Sequence, residues 1–204
     1  TSLPENKLTE FRQKKIGFVF QFFYLIPTLN VLQNVLVPTF PIKNGPKKFL
    51  NKAKKLLKRV GLEKMEKRYP YELSGGEQQR TAIARALIFS PSLVLADEPT
   101  GNLDSKTGTE IIKLMKELQE KENITFIITT HDVRIKDLAT KVFLIEDGKI
   151  KIVINSDEFS RDFICPLTSG QGYLVLYKHL KNNADKYINL LDELIEKYSK
   201  WSNK

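Results

Sequence analysis

The chain has 204 residues, 41% hydrophobic and 28% charged, a balance that suits one globular domain with a real core and excludes wholesale disorder. Its single cysteine, Cys165, excludes a disulfide framework within the chain and suits a reducing compartment. The formal net charge of +9 is concentrated, because eleven Lys/Arg stand against two acids between Lys43 and Arg68 and the remainder balances to zero.

No basic, apolar, small-residue sequence opens the chain, so a secretory signal is not expected. Ile16–Phe20 reads as a buried strand. From Ile16 to Ile42 no residue is charged, a length able to span a bilayer. Gln21, Asn30, Gln33 and Asn34 would be costly in hydrocarbon, however, and Pro27, Pro38 and Pro41 would break a spanning helix. The stretch is therefore read as the strand, an apolar loop and a short helix near Leu29–Val35. Lys47–Val60 places Phe49, Leu50, Ala53, Leu56, Leu57 and Val60 on one helical face, with lysines opposite. That basic face suits anionic lipid headgroups or nucleic acid, or is simply solvated. A helix runs from Glu77 to about Phe89 and stops at Ser90–Pro91. Leu93–Ala96 suits a strand covered on both faces. Thr107–Lys121 reads as a helix and Ile124–Thr130 as a β-branched strand. Val142–Ile145 and Ile150–Ile154 form a hairpin closed by Asp147-Gly148. This alternation predicts an α/β fold with a mainly parallel sheet and a helical insert at about 40–90. Residues 1–155 form that unit, and 156–204 an appendage, irregular over Asp157–Gly172, with an amphipathic helix at Ala184–Trp201.

Five polar features carry the chemistry. Leu73-Ser74-Gly75-Gly76-Glu77-Gln78-Gln79-Arg80 sets two glycines at a helix start, where open amides and the helix dipole favour an anion. Ser74 and Glu77 also have capping-box spacing, so a plain capped helix explains this segment equally well. Leu93-Val94-Leu95-Ala96-Asp97-Glu98 ends a buried strand in two carboxylates at the sheet's carboxyl edge. Asp97 is suited to holding Mg²⁺ through water and Glu98 to general-base work, although a lone Asp-Glu pair is usually ordinary loop. The turn-rich Pro99–Asp104 follows directly. His131 ends the strand Ile124–Thr130, and Gln21 lies just past Ile16–Phe20, both at that same edge.

Jointly and in this order, the five resemble the ABC ATPase family over roughly Leu8 to Ile154. Gln21 matches its Q-loop, Leu73–Arg80 its signature, Leu93–Glu98 its Walker B strand, Pro99–Asp104 its D-loop and His131 its switch histidine. The wording from Asp97 to Gly108, with Ile16–Gln21 upstream, is similar to the lipoprotein-release and macrolide-export branch. The resemblance implies a P-loop-NTPase-like fold, ATP and Mg²⁺ as cofactors, and a head-to-tail pair of ATPase subunits with ATP between them. It implies that Ser74, Gly75, Gly76 and Gln78 bind nucleotide held on the other subunit, with Asp104 working across the interface. Glu98 would polarise the attacking water and His131 contact the γ-phosphate; Asp97 and Gln21 would serve the metal. Phe22–Val31 and the basic insert would lie where a transmembrane permease subunit docks, placing the chain peripherally on the cytoplasmic face of the cell membrane. A nucleic-acid-associated member would carry two ATPase units or long coiled coils, so no specific nucleic acid is expected.

One departure matters. No Gly-x-x-x-x-Gly-Lys-Ser/Thr occurs in the chain. Asn44-Gly45-Pro46-Lys47-Lys48 lacks the second glycine and the hydroxyl, and its proline removes an amide donor. The family places this loop, and the aromatic residue that stacks on adenine, upstream of the Q-loop. Two explanations compete. The favoured one is truncation, since Thr1 is not a natural start; the lost front would include the central strand and leave an exposed strand edge. The other is a degenerate, catalytically incomplete interaction module that completes a partner subunit's ATP site.

Overall fold

A computed structural model describes residues 4–130, 132, 139–146, 149–155 and 172–177. Helix α1 (Glu5–Lys15) follows Pro4, with Glu5 in its first turn and Arg12, Lys14 and Lys15 in its last, in keeping with the helix dipole. Its sequence, ENKLTEFRQKK, has no apolar stripe, so periodicity did not reveal it. It leads straight into β1 (Ile16–Val19).

The aromatic loop then gives way to α2 (Val31–Leu36), started by a capping box between Asn30 and Gln33. Helix α3 (Gly45–Arg59) buries Ala53, Leu56 and Leu57, and its lysines face outward. Leu50, assigned to the buried face by periodicity, is among the exposed apolar residues. Part of the concentrated positive charge is paired: Lys54 with Glu66 at 3.8 Å, Lys58 with Glu63 at 4.0 Å, and Arg59 with Glu122. Helix α4 (Gly75–Ala86) starts two residues earlier than expected, because both glycines enter its first turn. It packs against α2, α3, β1 and α5 (Ser105–Glu122). The buried core runs through Val35, Leu57, Ile83, Val94, Ile111, Met115 and Phe126.

Strands β2 (Leu93–Asp97) and β3 (Thr125–Thr130) complete a parallel trio with β1, in register Phe18↔Leu95 and Leu95↔Ile127. The expected hairpin is present as β4 (Lys141–Glu146) and β5 (Lys149–Asn155); its Asp147-Gly148 turn lies outside the described residues. The sheet order is β1-β2-β3-β6-β4-β5.

Strand β6 (Gly172–Tyr177) bears on two expectations. It comes from the segment read as an appendage, yet it pairs antiparallel with both β3 and β4. The exposed strand edge expected on the core is therefore not found on β3, whose amides and carbonyls meet β6. Tyr173-Leu174-Val175-Leu176-Tyr177 has the aromatic and β-branched make-up of a strand in mid-sheet, which accounts for its place there. The Ala184–Trp201 stripe lies outside the described residues.

Candidate functional site

Because β1, β2 and β3 are parallel, they end on one sheet edge, and there the predicted polar residues gather. The register sets Asp97 opposite Thr129. Thr129 Oγ1 donates to Asp97 Oδ1 at 2.6 Å. The Glu98 amide continues the ladder by donating to the Thr129 carbonyl at 2.9 Å, and Thr130 Oγ1 donates to Glu98 Oε2 at 3.3 Å. Glu98 has φ +43°, a left-handed backbone that costs a non-glycine residue about 1–2 kcal/mol. Strain at a carboxylate on a ligand-binding edge is typical of functional positions. The two threonines went unnoticed in the sequence; the parallel register opposite Asp97-Glu98 is the signal that finds them.

Gln21 is drawn to the loop after Glu98. Its carbonyl accepts from Asn102 Nδ2 at 3.0 Å, and its Nε2 donates to Asn102 Oδ1 at 3.4 Å. Gly101 leaves room for this approach, since a Cβ there would sit 2.7 Å from Gln21 Nε2 and push that side chain aside. Asn102, a third residue whose part went unnoticed in the sequence, thus ties the Q-loop match to the D-loop match. Thr100 Oγ1 donates to Asp132 Oδ2 at 3.3 Å, and the Asp132 amide donates to Thr130 Oγ1 at 3.0 Å, tying the same loop to the residues after β3. His131 itself lies outside the described residues.

The signature match forms the start of α4, where Ser74 is exposed, Gly75 half-buried and Gly76 buried. The Glu77 amide donates to Ser74 Oγ at 3.4 Å, and the Ser74 amide donates to Glu77 Oε2 at 2.7 Å, so the expected capping box is present. Among the described residues no acceptor meets the amides of Gly75 and Gly76, the donors a helix N-terminus leaves open. Gln78 turns back, its Nε2 donating to the Leu73 carbonyl at 3.2 Å. Gly76 packs so closely on α5 that a Cβ would lie 2.5 Å from Thr107 Cγ2. Gln79, fully buried, donates through Nε2 to the Pro99 carbonyl at 2.7 Å, joining α4 to the turn just past Glu98. Asp104 caps α5, accepting from the Lys106 and Thr107 amides at 3.0 Å each and from Thr107 Oγ1 at 2.5 Å. The Thr107 hydroxyl, helped by those amides, holds its carboxyl below the usual carboxylate range.

Chemically, α4 offers a helix N-terminus with two open glycine amides, which suits an anion. Among the described residues no group of three or more His, Cys, Asp or Glu could hold a metal alone. A magnesium ion whose shell is completed by phosphate oxygens and water needs only one or two carboxylates, which Asp97 fits.

Residues 2–101 match the family described as ABC transporter. Over 155 residues the chain is 46% identical to the ABC transporter ATP-binding protein MJ1508 of Methanocaldococcus jannaschii, covering 76% of this chain and 69% of that one. The chain belongs to the ABC transporter ATP-binding family. It is also 42% identical over 153 residues to the lipoprotein-releasing system ATP-binding protein LolD of Francisella tularensis subsp. holarctica, covering 74% of this chain and 66% of that one, in keeping with the branch its wording resembles. Among solved structures, the dimeric ABC transporter cassette MJ0796 of Methanocaldococcus jannaschii superposes with a TM-score of 0.66 at 40% identity, over 77% of this chain and 69% of that one. That cassette is also solved in a post-hydrolysis dimer bound to ADP and Pi. The ABC chain described here thus has the expected P-loop-NTPase-like α/β fold and spans about two thirds of the length of these relatives.

Proposed function

We propose that this chain belongs to the ATP-binding and ATP-hydrolysing subunit of an ABC transporter, which couples hydrolysis to transport through a separate membrane subunit, and that these 204 residues are inactive alone for want of a phosphate-binding loop. The observation that carries this reading is the seating of the α4 N-terminus, with its open Gly75 and Gly76 amides, against the loop that joins Glu98 to Asp104. One surface thereby offers an anion-binding helix end and a helix-capping carboxylate, as suits a face turned toward a second ATPase subunit in a head-to-tail dimer. In that dimer Ser74, Gly75 and Gly76 contact the terminal phosphate of ATP held by the partner, Gln78 takes part in binding that nucleotide, and Asp104 works across the interface. Asp97 and Gln21 serve the Mg²⁺, Glu98 takes a proton from the attacking water, and His131 contacts the γ-phosphate.

No described helix is long and apolar enough to cross a membrane. The exposed Phe22 and Tyr24 offer a docking surface for the permease subunit, which sets the chain peripherally on the cytoplasmic face of the membrane.

The 204 residues contain no Gly-x-x-x-x-Gly-Lys-Ser/Thr, so the phosphate cradle has to come from outside them. The same absence also suits a second reading, in which the chain is an interaction module that completes a partner's site through Ser74–Gly76. Both readings give the purified 204-residue chain no measurable Mg²⁺-dependent ATP hydrolysis. Hydrolysis that disappears in Glu98→Gln would show instead that these residues form a working site unaided.

A further inference from the structure

The loop that follows Gln21 is exposed at its aromatics and yet tightly held from below. Phe22 and Tyr24 are 64% and 62% exposed. Phe23 and Tyr24 have φ of +55° and +44°, two successive left-handed residues without a glycine, a conformation that L residues rarely adopt. The pair brings two adjacent carbonyls within reach of α4. There Arg85 Nη2 donates to the Phe23 carbonyl at 2.6 Å and Nη1 to the Tyr24 carbonyl at 2.5 Å. No carboxylate pairs with Arg85 among the described residues. Burial alone pushes its pKa below the ordinary arginine value, so a charged guanidinium is held under the loop by these backbone acceptors.

Arg85 and the open amides of Gly75 and Gly76 belong to one helix, whose Ala82, Ile83 and Ala84 are fully buried. The helix therefore moves as a unit with whatever its side chains grip. Gln79 extends that grip to Pro99, beside Glu98. A lysine at position 85 would bring a compact ammonium in place of the planar fork and match the two adjacent carbonyls less well.

We propose that Arg85 is a positioning residue that clamps the Phe22–Tyr24 loop to α4, so that displacing the exposed aromatics loosens the Ser74–Gly76 end of the helix. The clamp is a property of the chain itself; its functional consequence rests on the reading that Ser74–Gly76 serves a nucleotide. A partner pressing on Phe22 and Tyr24 would thereby alter the anion-binding end of α4 without touching it.

Amide hydrogen exchange of the full 204-residue chain tests the clamp, comparing wild type with Arg85→Met, which keeps the packing stem and removes the fork, and Arg85→Lys. The amides to follow are Ile26 and Leu29 in the loop, Glu77 and Gln78 at the start of α4, and those of α5 as a control. Arg85→Met should speed exchange at both the loop and the start of α4 by about tenfold or more, with α5 changed less than about twofold. Arg85→Lys should give the same pattern at smaller size. An unchanged loop, a loop that loosens while Glu77 and Gln78 do not, or a uniform rise that includes α5 in both variants would overturn the proposal. Failure of the nucleotide reading is separate: wild-type chain would leave a partner ATPase's hydrolysis unaltered whatever the exchange pattern.

Discussion

Gly76 has no room for a side chain, because Thr107 Cγ2 faces it and the Thr107 hydroxyl is fixed on Asp104 at 2.5 Å. Gly76→Ala therefore destabilises by about 1–3 kcal/mol through overpacking, partly offset by the better helix preference of alanine, about 1 kcal/mol. Adding Thr107→Ser removes the clashing methyl and should recover most of the loss in urea unfolding; a purely additive double variant would show that the contact is not the cause. Asp104 predicts a pH effect. Its folded pKa is lowered, so its contribution is present above the pKa of the unfolded chain and is lost as pH falls through the lowered folded value. The stability difference between wild type and Asp104→Asn, followed by urea midpoints, should shrink on acidification through the carboxylate range. At this scale the sequence was legible where a motif fixes a residue's type and spacing, as at Asp97 and Ser74. Thr129, Asn102 and Arg85 were not legible, since their partners are 32, 81 and about 61 residues away and only folding brings them together.

Elements with an apolar stripe or a capping box were readable in advance, and α2, α3 and α4 fall within two residues of their expected starts. Helix α1 has neither signal and depends on its charges and on contact with β1. Strand β6 does have a strand-like composition, but its partners β3 and β4 are distant in sequence and nothing local points to them. The loop between β1 and α2 shows how an irregular element is held. Asn34, fully buried, accepts from the Ile26 amide at 2.7 Å and donates to the carbonyls of Ile26, Leu29 and Asn30. Asn34→Leu strips these groups of their partner, and about 2–3 kcal/mol of stability should be lost in thermal or urea unfolding. A loss below about 0.5 kcal/mol would mean that the loop finds other partners.

For the whole molecule, the parallel half of the sheet presents Gln21, Asp97 and Glu98 on one edge, while α4 and the start of α5 present Ser74–Gly76 and Asp104 beside it. Nothing in the 204 residues supplies the Gly-x-x-x-x-Gly-Lys-Ser/Thr cradle. On the proposed function, this chain serves an ATP whose phosphates are gripped elsewhere. The measurement that bears on it most directly is the ATPase rate of an intact ABC cassette, such as MJ0796, titrated with the purified chain and with its Gly75→Asp variant, which sets a carboxylate where the anion would lie. Wild-type chain should change the cassette's rate and the variant should not; an unchanged rate at saturating wild-type chain would contradict the account.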